Sequence, residues 1–514
     1  MRIAFRVDAA LAIGTGHVMR CLTLAHELSE LGANCMFVCR QHEGHLAQLI
    51  EQRGFLCHLL ALSETPYLPQ SDDLAHAAWL GATWQQDAQQ TLALFAEPVD
   101  WLVVDHYAID ARWQALVKAG YQRLLVIDDL ADREHLADVL LDQTYGRQVA
   151  DYQSLVPQHC QLLLGSTYAL LRPEFAQWRE TSLSRRTDQM PLQNILISMG
   201  GVDAQNHTSQ ILVAINSLNL PKPLHLTVVL GSNAPHLQQV QVLASTLNYP
   251  TRVLTSVDNM AELMVNADLA IGAAGSTTWE RACLGLPSLL FCLADNQRTS
   301  VESVSNQGAA WFMRDMKQLG YALNLLTTMP ERLAQMQRLA SELTQGLGAV
   351  KVAQKLQQKP LTLIPVSLED SQTLFEWRNH PSIRSVSLHQ EVLQFEAHQQ
   401  WVASSLVNPN RVMWMAYCGD SKIGMIRFDR SHELSREAEV SLYLAPNQQG
   451  KGLGKQLLTA GEQAIVRQWS NIERIKAQVL ATNQASVNLF THAQYQANLV
   501  SFQKQVSYEP FYSH

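Results

Sequence analysis

The sequence predicts an α/β protein in which two doubly wound domains are followed by a smaller α+β domain. Over the first 350 residues, short apolar segments without clean polar alternation recur between segments with helical periodicity. This is the pattern of parallel strands that are covered by helices on both faces. After residue 360, predicted strands follow one another directly, as in a largely antiparallel sheet. At about 150 residues per domain, 514 residues accommodate about three domains.

In the first domain, assigned to residues 1–185, we predict strands at residues 3–5, 35–39, 101–104 and 124–127, and a helix at 18–31. The second domain, residues 186–350, repeats this rhythm with strands at 194–199, 224–230, 252–254, 269–271 and 288–291. The segment 350–360, with three Gln and three Lys, is predicted to be the end of a helix followed by a linker, and the linker is assigned to residues 351–360. In the third domain, residues 361–514, we predict helices at 368–379, 395–406 and 452–469 and strands at 411–417, 423–427, 439–444 and 474–479.

Composition narrows the possible functions. Apolar residues make up 47% of the chain, which is enough to build a core in each domain. With 38 Lys and Arg against 46 Asp and Glu, the formal charge is −8, so nucleic acid is not expected as a partner. No apolar run reaches the ~18 residues of a membrane span, and the N-terminal segment does not resemble a secretory signal, so we expect a cytoplasmic protein. The eight cysteines include no Cys-x-x-Cys pair, and no metal site is predicted.

The first predicted strand leads into a loop that contains Gly14 and Gly16, and a helix begins there. Glycines at such a turn let backbone N–H groups approach an anion, and the helix N-terminus adds a partial positive charge. His17 is expected on the first helical turn, facing a cleft, with Arg20 on the same side. Taken alone, the pattern is equally typical of a tight turn with a surface histidine.

Three small-residue loops in the second domain strengthen this interpretation. Each follows a predicted strand: Gly200 and Gly201 the first, Gly231 the second, and Gly275 with Ser276 the third. At one sheet edge these loops offer a backbone surface for a diphosphate and a ribose. The carboxylate of Glu280 can accept hydrogen bonds from ribose hydroxyls. Together with the His17 loop, they predict a nucleotide site between the two domains.

The order of these fragments resembles the GT-B fold of UDP-sugar enzymes and, more narrowly, the nucleotide-sugar hydrolases of pseudaminic acid biosynthesis. The shared fragments are Phe5-Arg6-x-Asp8, Gly14-x-Gly16-His17, Asp105-His106-Tyr107, Tyr168-Ala169-Leu170-x-Arg172-x-x-Phe175, Met199-Gly200-Gly201-x-Asp203 and Asn296-Gln297. The resemblance implies that water attacks the anomeric carbon of a UDP-linked 2,4-diacetamido-2,4,6-trideoxy-altropyranose. The C1–O bond then breaks with inversion, and UDP leaves.

The resemblance also implies roles for single residues. His17 is the expected general base, since histidine ordinarily titrates near ~6.5 and is largely neutral in the cytoplasm. Asp8 is expected either to orient His17 or the water, or to cap a turn. The implied contacts with the UDP-sugar are Asp105, His106, Tyr107, Tyr168, Arg172, Asn296 and Gln297. For the Asp105 fragment an ordinary strand-end turn is the alternative, and Arg172 can either pair with phosphate or brace the two domains.

A second glycine-rich loop opens the long helix of the third domain, and it suits a pyrophosphate. It consists of Gln449, Gly450, Lys451, Gly452, Leu453 and Gly454. No Gly-Lys-Ser/Thr follows and the sheet is antiparallel, so P-loop and Rossmann interpretations fit badly. The loop resembles motif A of the GNAT acetyltransferases, and the resemblance spans about residues 361–505. The whole chain is thus expected to be a GT-B-like pair of doubly wound α/β domains followed by an α+β GNAT domain.

The GNAT resemblance implies acetyl-CoA as co-substrate. Asn483 would touch the cofactor, with Ser486 in the same element, and the backbone of Leu442 and Leu444 would line the pantetheine. The segment 377–379 would lie near the acceptor.

The proton chemistry of this domain is less defined. A tyrosine that often protonates the leaving thiolate in the family is replaced here by Phe490, which leaves His492 or Tyr495 as substitutes. Glu439 is either the base for the acceptor ammonium or a solvated carboxylate at the strand edge.

The fusion suggests that the acetyltransferase makes the substrate of the hydrolase, by acetylating the 4-amine of a UDP-4-amino-4,6-dideoxy-AltNAc. The expected partners are therefore small molecules, a UDP-sugar and acetyl-CoA, and the sequence makes no prediction of oligomeric state. Three alternatives remain open. The first unit can be a GT-B glycosyltransferase, it can be a UDP-sugar-binding module without activity, or the acetyltransferase can use a different amine.

Overall fold

The computed structural model describes residues 1–63, 73–186, 191–255, 257–294, 297–358 and 361–497. It divides the chain into two units, the first ending at Gln357 and the second beginning at Gln358. In the described part of the chain, no helix combines the length and the apolar character that crossing a membrane requires.

The first sheet of unit one has seven parallel strands in the order β3-β2-β1-β4-β5-β6-β7. Its strands are β1 (Arg2–Val7), β2 (Asn34–Arg40), β3 (Leu56–Leu60), β4 (Val99–Asp105), β5 (Tyr121–Ile127), β6 (Val139–Asp142) and β7 (Gln161–Leu164). The accompanying helices are α1 (Gly16–Glu30), α2 (Ala47–Gln52), α3 (Trp84–Ala93), α4 (Ala111–Leu116) and α5 (Pro173–Arg185). The strand order reverses between β1 and β4, so a crevice opens at their carboxyl ends.

The second sheet of unit one has six parallel strands in the order β10-β9-β8-β11-β12-β13. Its strands are β8 (Asn194–Ser198), β9 (His225–Leu230), β10 (Thr251–Thr255), β11 (Leu269–Ala273), β12 (Ser288–Phe291) and β13 (Ala310–Met313). Its helices are α6 (His207–Asn216), α7 (Leu237–Ala244), α8 (Met260–Asn266), α9 (Thr277–Cys283), α10 (Arg298–Asn306), α11 (Lys317–Thr328) and α12 (Pro330–Leu343), and α13 (Gly348–Gln357) follows them in the chain. The strand order again reverses beside the first strand, between β8 and β11.

Helix α13 corrects the predicted linker, because residues 351–357 are helical and only the end of the segment can connect the units. Ala349, Val352, Ala353 and Leu356 have helical spacing and belong to the core of the first sheet. The indole of Trp101 donates a hydrogen bond to the carbonyl of Leu356 (2.9 Å). The Gln and Lys residues on the outer face of this helix have the composition of a linker. The inner face nevertheless packs against the first domain. Residues 359 and 360 lie outside the described residues.

Unit two has five strands in the order β14-β15-β16-β17-β18. Its strands are β14 (Leu361–Pro365), β15 (Arg411–Cys418), β16 (Ser421–Asp429), β17 (Glu437–Leu444) and β18 (Arg474–Ala477). Its helices are α14 (Ser371–Asn379), α15 (Pro381–Arg384), α16 (Phe395–Leu406), α17 (Leu453–Gln468) and α18 (Gln484–His492). All neighbours pair antiparallel except β17 and β18, which are parallel. This architecture confirms the predicted succession of two parallel-sheet domains and one α+β domain.

Strands β17 and β18 separate beyond Val440, which pairs with the last residue of β18, Ala477. The rest of β17, as far as Leu444, continues to pair with β16 on its other side. The carboxyl-terminal half of β17 therefore has one edge that β18 leaves open, next to the start of α17.

We expect Leu356→Ala to lower the free energy of unfolding of the protein by about 2–5 kcal/mol, the cost of deleting a fully buried leucine side chain. Urea denaturation measures the change. The matched control is Gln354→Ala on the exposed face of the same helix, where a change within about 0.5 kcal/mol is expected. Equal effects of the two substitutions would show that α13 is a linker after all.

Candidate active sites

A cleft of about 230 Å³ lies between the two halves of unit one, at the carboxyl ends of both sheets. On the first side it is lined by residues that follow β1, β4, β5 and β6, namely Ile13, Gly16, His17, Arg20, Tyr107, Asp129, Gln143 and Thr144. On the second side it is lined by residues that follow β11 and β12, namely Ala274, Gly275, Ser276, Trp279, Gln297 and Ser300. The predicted residues that the fold brings together here are thus Gly16, His17, Arg20, Tyr107, Gly275, Ser276 and Gln297.

His17 is the second residue of α1, and a buried carboxylate fixes its ring. Its Nδ1 lies 2.6 Å from Oδ1 of Asp105, the last residue of β4. A neutral imidazole in this pair donates its Nδ1 hydrogen to the carboxylate, which leaves Nε2 free to accept a proton. The geometry is that of a base held by an orienting acid.

Asp105 is completely buried and pairs with two partners. Arg20 binds it through both ends of its guanidinium group, with Nε 2.6 Å from Oδ2 and Nη2 2.6 Å from Oδ1. Burial alone would raise the pKa of Asp105, but Arg20 and His17 lower it below its usual range. In this structure the Asp105 carboxylate is thus engaged by His17 and Arg20, and its predicted contact with the substrate stays a prediction.

One of the roles expected for Asp8 was to orient His17, but in the structure the His17 ring is held by Asp105 instead. The buried carboxylate of Asp8 accepts hydrogen bonds from Arg6 Nη1 (2.7 Å) and Nη2 (2.9 Å) and from the backbone N–H of Arg40 (2.6 Å). His106 Nε2 lies 3.2 Å from Asp8 Oδ2, and the side chain of His106 is also buried. The His106 ring is thus part of a buried ionic network with Asp8, and its expected contact with the substrate stays a prediction.

Asp129 is a cleft residue that the sequence reasoning missed. Its Oδ2 lies 3.2 Å from Arg20 Nη1, and its Oδ1 accepts a short hydrogen bond from the hydroxyl of Tyr107. The ring of Tyr107 in turn meets the ring of His17 edge-on, with centroids 4.8 Å apart. The available signal was the position of Asp129 two residues after the end of β5, the strand next to β4.

The loop between β11 and α9 forms the second wall of the cleft, and a buried arginine holds it. A side chain on Gly272 would lie 2.4 Å from Arg281 Nη1 and 2.7 Å from the carbonyl oxygen of Ser198, so only glycine fits. Arg281 Nη2 donates to the carbonyl of Ala273 (2.7 Å). Burial lowers the pKa of Arg281 to about 10, which leaves it positively charged at neutral pH. The small-residue loop that Arg281 holds is the part of this wall predicted to receive the diphosphate.

Several predicted residues do not line the cleft. Gly14 lies in the chain between the lining residues Ile13 and Gly16 and has a left-handed conformation (φ 82°). Gly201 and Gly231 pack their loops together, since a Cβ on Gly231 would lie 2.4 Å from the carbonyl oxygen of Gly201. Neighbouring Gly200 has φ 97°.

Three more predicted contacts also lie outside this cleft. Tyr168 packs against the first core. Arg172 pairs with Glu174 (3.1 Å). Burial raises the pKa of Glu280, while Arg172 opposes that shift. Asn296 lies outside the described residues. Roles for these residues in nucleotide binding stay predictions.

In unit two, the glycine-rich loop leads directly into α17. Gly450 and Gly452 have φ values of 76° and 73°, a conformation that favours glycine, and α17 begins at Leu453 with Gly454 next. The loop also contains Gln449 and Lys451, and its lysine Nζ lies 3.1 Å from Oε1 of Gln448. The loop therefore stands where the open edge of β17 meets a helix start, which suits a pyrophosphate.

The remaining predicted cofactor residues lie on the elements beside this loop. Leu442 and Leu444 are on the part of β17 that β18 leaves open, and they pair with Ile426 and Gly424 of β16. Asn483 caps α18 by accepting a hydrogen bond from the N–H of Ser486 (3.1 Å), and its amide donates to the carbonyl of Val386 (3.1 Å). In this structure the Asn483 side chain thus has two protein partners.

The predicted acid Tyr495 has a partner on α17. Its hydroxyl donates a hydrogen bond to Glu462 (2.8 Å), and its role as the acid stays a prediction. Burial and the hydrogen bond with Glu462 raise the pKa of Tyr495 far above its ordinary value. The alternative, His492, lies with Nδ1 2.6 Å from the carbonyl oxygen of Asn488.

Glu439 and Tyr443 lie on β17, nearer the open edge. Glu439 is half-buried, and Gln478 Nε2 lies 3.5 Å from its carboxylate, so it keeps the exposure a base needs. Tyr443 was not among the predicted site residues, although it lies on β17 between the predicted residues Leu442 and Leu444. Burial raises its pKa, against the opposing effect of Arg378 and Arg427. Across the described residues, no group of three or more His, Cys, Asp or Glu is arranged to hold a metal ion.

Comparisons with known proteins match both units. The glycosyltransferase family 28 C-terminal domain matches residues 194–355, and the acetyltransferase (GNAT) family matches residues 372–494. The crystal structure of MurG from Acinetobacter baumannii, at 18% identity, covers 69% of this chain and 99% of its own with a TM-score of 0.50. That similarity shows the GT-B-like fold.

Three relatives differ in how much of the chain they share. The UDP-2,4-diacetamido-2,4,6-trideoxy-beta-L-altropyranose hydrolase of Campylobacter jejuni is 26% identical over 314 residues, 60% of this chain and 97% of the relative. The spore coat polysaccharide biosynthesis protein SpsG of Bacillus subtilis is 23% identical over 368 residues, covering 70% and 98%. An uncharacterized protein of Methanocaldococcus jannaschii is 22% identical over 506 residues, 95% of this chain and 96% of its own, so it shares the full length. The chain is therefore a GT-B-like homologue of the UDP-diacetamido-trideoxy-altropyranose hydrolase that carries a glycosyltransferase family 28 C-terminal domain and, after it, an acetyltransferase domain of the GNAT family.

Proposed function

We propose that unit one hydrolyses UDP-2,4-diacetamido-2,4,6-trideoxy-β-L-altropyranose to the free sugar and UDP. The observation that carries this proposal is the pair of His17 and Asp105 at the mouth of a cleft with a second wall suited to a diphosphate. The 26% identical hydrolase supports the choice of substrate.

In this reaction a water molecule gives a proton to Nε2 of His17 as its oxygen bonds to C1 from the face opposite UDP. The C1–O bond breaks, the electron pair leaves with the diphosphate, and the configuration inverts. A diphosphate carries its charge without a proton at neutral pH, so a base alone is sufficient and no acid has to protonate the leaving group.

For unit two we propose transfer of acetyl from acetyl-CoA to the 4-amine of UDP-4-amino-4,6-dideoxy-β-L-AltNAc. Glu439, our choice of base, takes a proton from the acceptor ammonium, and the free amine nitrogen attacks the thioester carbonyl. The C–S bond breaks with its electron pair going to the sulfur of CoA, and the proton that the nitrogen then loses passes to this thiolate directly or through solvent. The product of this step is the substrate of unit one, which accounts for the fusion. Both steps would belong to pseudaminic acid biosynthesis in the cytoplasm.

A second candidate for unit one is glycosyl transfer, which the family 28 match favours. The two reactions differ in their products. Incubating the full chain with acetyl-CoA and the UDP-4-amino sugar, followed by mass spectrometry, should give CoA, UDP and the free diacetamido sugar without an added acceptor. Acetylated UDP-sugar that persists until an acceptor is supplied would favour the transferase.

We expect His17→Asn to lower the rate of UDP release at least ~10²-fold, because the amide cannot take the proton of water. Release of CoA in the same sample should not change. His26→Asn, on the exposed side of the same helix, is the control and should leave both rates unaltered. Loss of both activities with His17→Asn would indicate a folding defect or a wrongly chosen site.

Gly452→Ala should raise the KM for acetyl-CoA at least ~10-fold and leave UDP release unchanged, since a side chain strains a backbone with φ 73° and reshapes the loop. Gly419→Ala is the matched control: it also strains a positive φ (60°), but in the turn between β15 and β16. Steady-state kinetics with both variants checks the assignment. A similar KM increase in both variants would contradict it.

A further inference from the structure

Three rings form a continuous surface on one side of His17. Tyr107 meets His17 edge-on, and the indole of Trp79 lies against Tyr107 with centroids 5.7 Å apart and planes 27° from parallel. His76 contacts both, at 4.6 Å from Trp79 and 5.2 Å from Tyr107. Trp79 itself is 6.5 Å from the ring of His17. We call Trp79, Tyr107 and His76 the aromatic wall.

Core packing does not account for the position of Trp79. Residues Ala77–Leu80 form a 3₁₀ turn, in which side chains three positions apart share a face. Ala77 and Leu80 are buried, and Leu80 joins a core of the first domain. Trp79 and His76 share a different face, are only half-buried, and belong to none of the apolar clusters among the described residues. The turn is thus anchored on one side and presents Trp79 and His76 toward His17 on the other.

The chemistry of these rings suits a sugar with little hydroxyl surface. Aromatic faces bind C–H-rich surfaces and exclude water from them, whereas hydroxyl groups lose hydrogen bonds there. A 2,4-diacetamido-2,4,6-trideoxyhexose carries a C6 methyl and two acetyl methyls where other hexoses have hydroxyls. Burial lowers the pKa of His76, so its ring is neutral at pH 7 and can hydrogen-bond to an acetamido group.

We propose that the aromatic wall is the subsite for the sugar ring and selects N-acetylated 6-deoxyhexoses over hydroxyl-rich hexoses on the same nucleotide. This inference rests on the proposed hydrolysis and specifies which side chains recognise the sugar. Trp79 is the residue that determines specificity, Tyr107 connects the aromatic wall to the cleft that both it and His17 line, and the loop between β11 and α9 holds the nucleotide.

The first test measures binding in the full chain, with His17→Asn present in every protein to prevent turnover. Calorimetry gives the Kd for UDP and for UDP-2,4-diacetamido-2,4,6-trideoxy-β-L-altropyranose. Adding Trp79→Ala should weaken binding of the UDP-sugar at least ~10-fold and change the Kd of UDP less than ~2-fold, while Trp79→Phe should keep most of the affinity. Unchanged UDP binding also shows that the cleft is folded. Trp178→Ala, an exposed tryptophan on α5, is the matched control.

The second test measures selectivity with His17 restored. The ratio of kcat/KM for the diacetamido sugar to that for UDP-N-acetylglucosamine should fall at least ~10-fold in Trp79→Ala. An unchanged UDP-sugar Kd in Trp79→Ala, or equal losses for UDP and UDP-sugar, would overturn the aromatic wall as a sugar subsite. If the enzyme with His17 binds the UDP-sugar without releasing UDP, the proposed hydrolysis fails, and the calorimetry still decides on the wall.

Discussion

The bidentate pair of Arg20 and Asp105 is the interaction on which the first site depends. Asp105 ends β4 and Arg20 lies on α1, so the pair fixes the helix to the central strands at the point where the strand order reverses. His17 lies one turn before Arg20 and uses the same carboxylate. A buried carboxylate without partners would be a costly group, whereas here the guanidinium of Arg20 and the hydrogen bond from His17 keep Asp105 ionised. The orientation of the base follows from the packing of the fold.

A second buried network lies beneath the first and has no access to the cleft. Asp87 accepts hydrogen bonds from Arg6 Nε (3.1 Å) and Nη2 (2.6 Å) and from the indole of Trp113 (2.9 Å), and Arg40 also binds it. Arg6 connects this carboxylate to Asp8. Networks of this kind contribute more to a unique arrangement of strands than to net stability, because desolvation offsets much of the attraction. The Phe5-Arg6-x-Asp8 fragment thus has a structural role, because Arg6 and Asp8 connect the end of β1 to the end of β2.

The sequence was sufficient for the central strands, for the cleft and for the position of His17, since these depend on local periodicity and on the rule that parallel strands end at one sheet edge. It missed β3, β6, β7 and β13, which lie toward the edges of the two sheets. The sequence was insufficient to predict a contact between residues that are distant in the chain. Asp8 and Asp105 both follow apolar strands, and only the packing of α1 decides which of them meets His17. Helix α13 has a polar outer face that resembles a linker in composition. Trp79 lies in a turn whose anchoring by Ala77 and Leu80 is visible only once the core is known.

Glycine is required for different reasons in the loop before α17 and at the end of β11. The difference bears on the function of the two regions. Gly450 and Gly452 are required by their own left-handed backbone, with open space around each position, so that the loop can receive a ligand close to its main chain. Gly272 is required because Arg281 and the carbonyl of Ser198 occupy the space of a side chain. In the first case glycine leaves room for a cofactor; in the second it admits a buried cation beneath the loop. Arg281 is itself buried and donates a hydrogen bond to the carbonyl of Ala273, so this cation holds the shape of the cleft wall from beneath, whereas the Gly450 loop keeps its main chain open to a ligand.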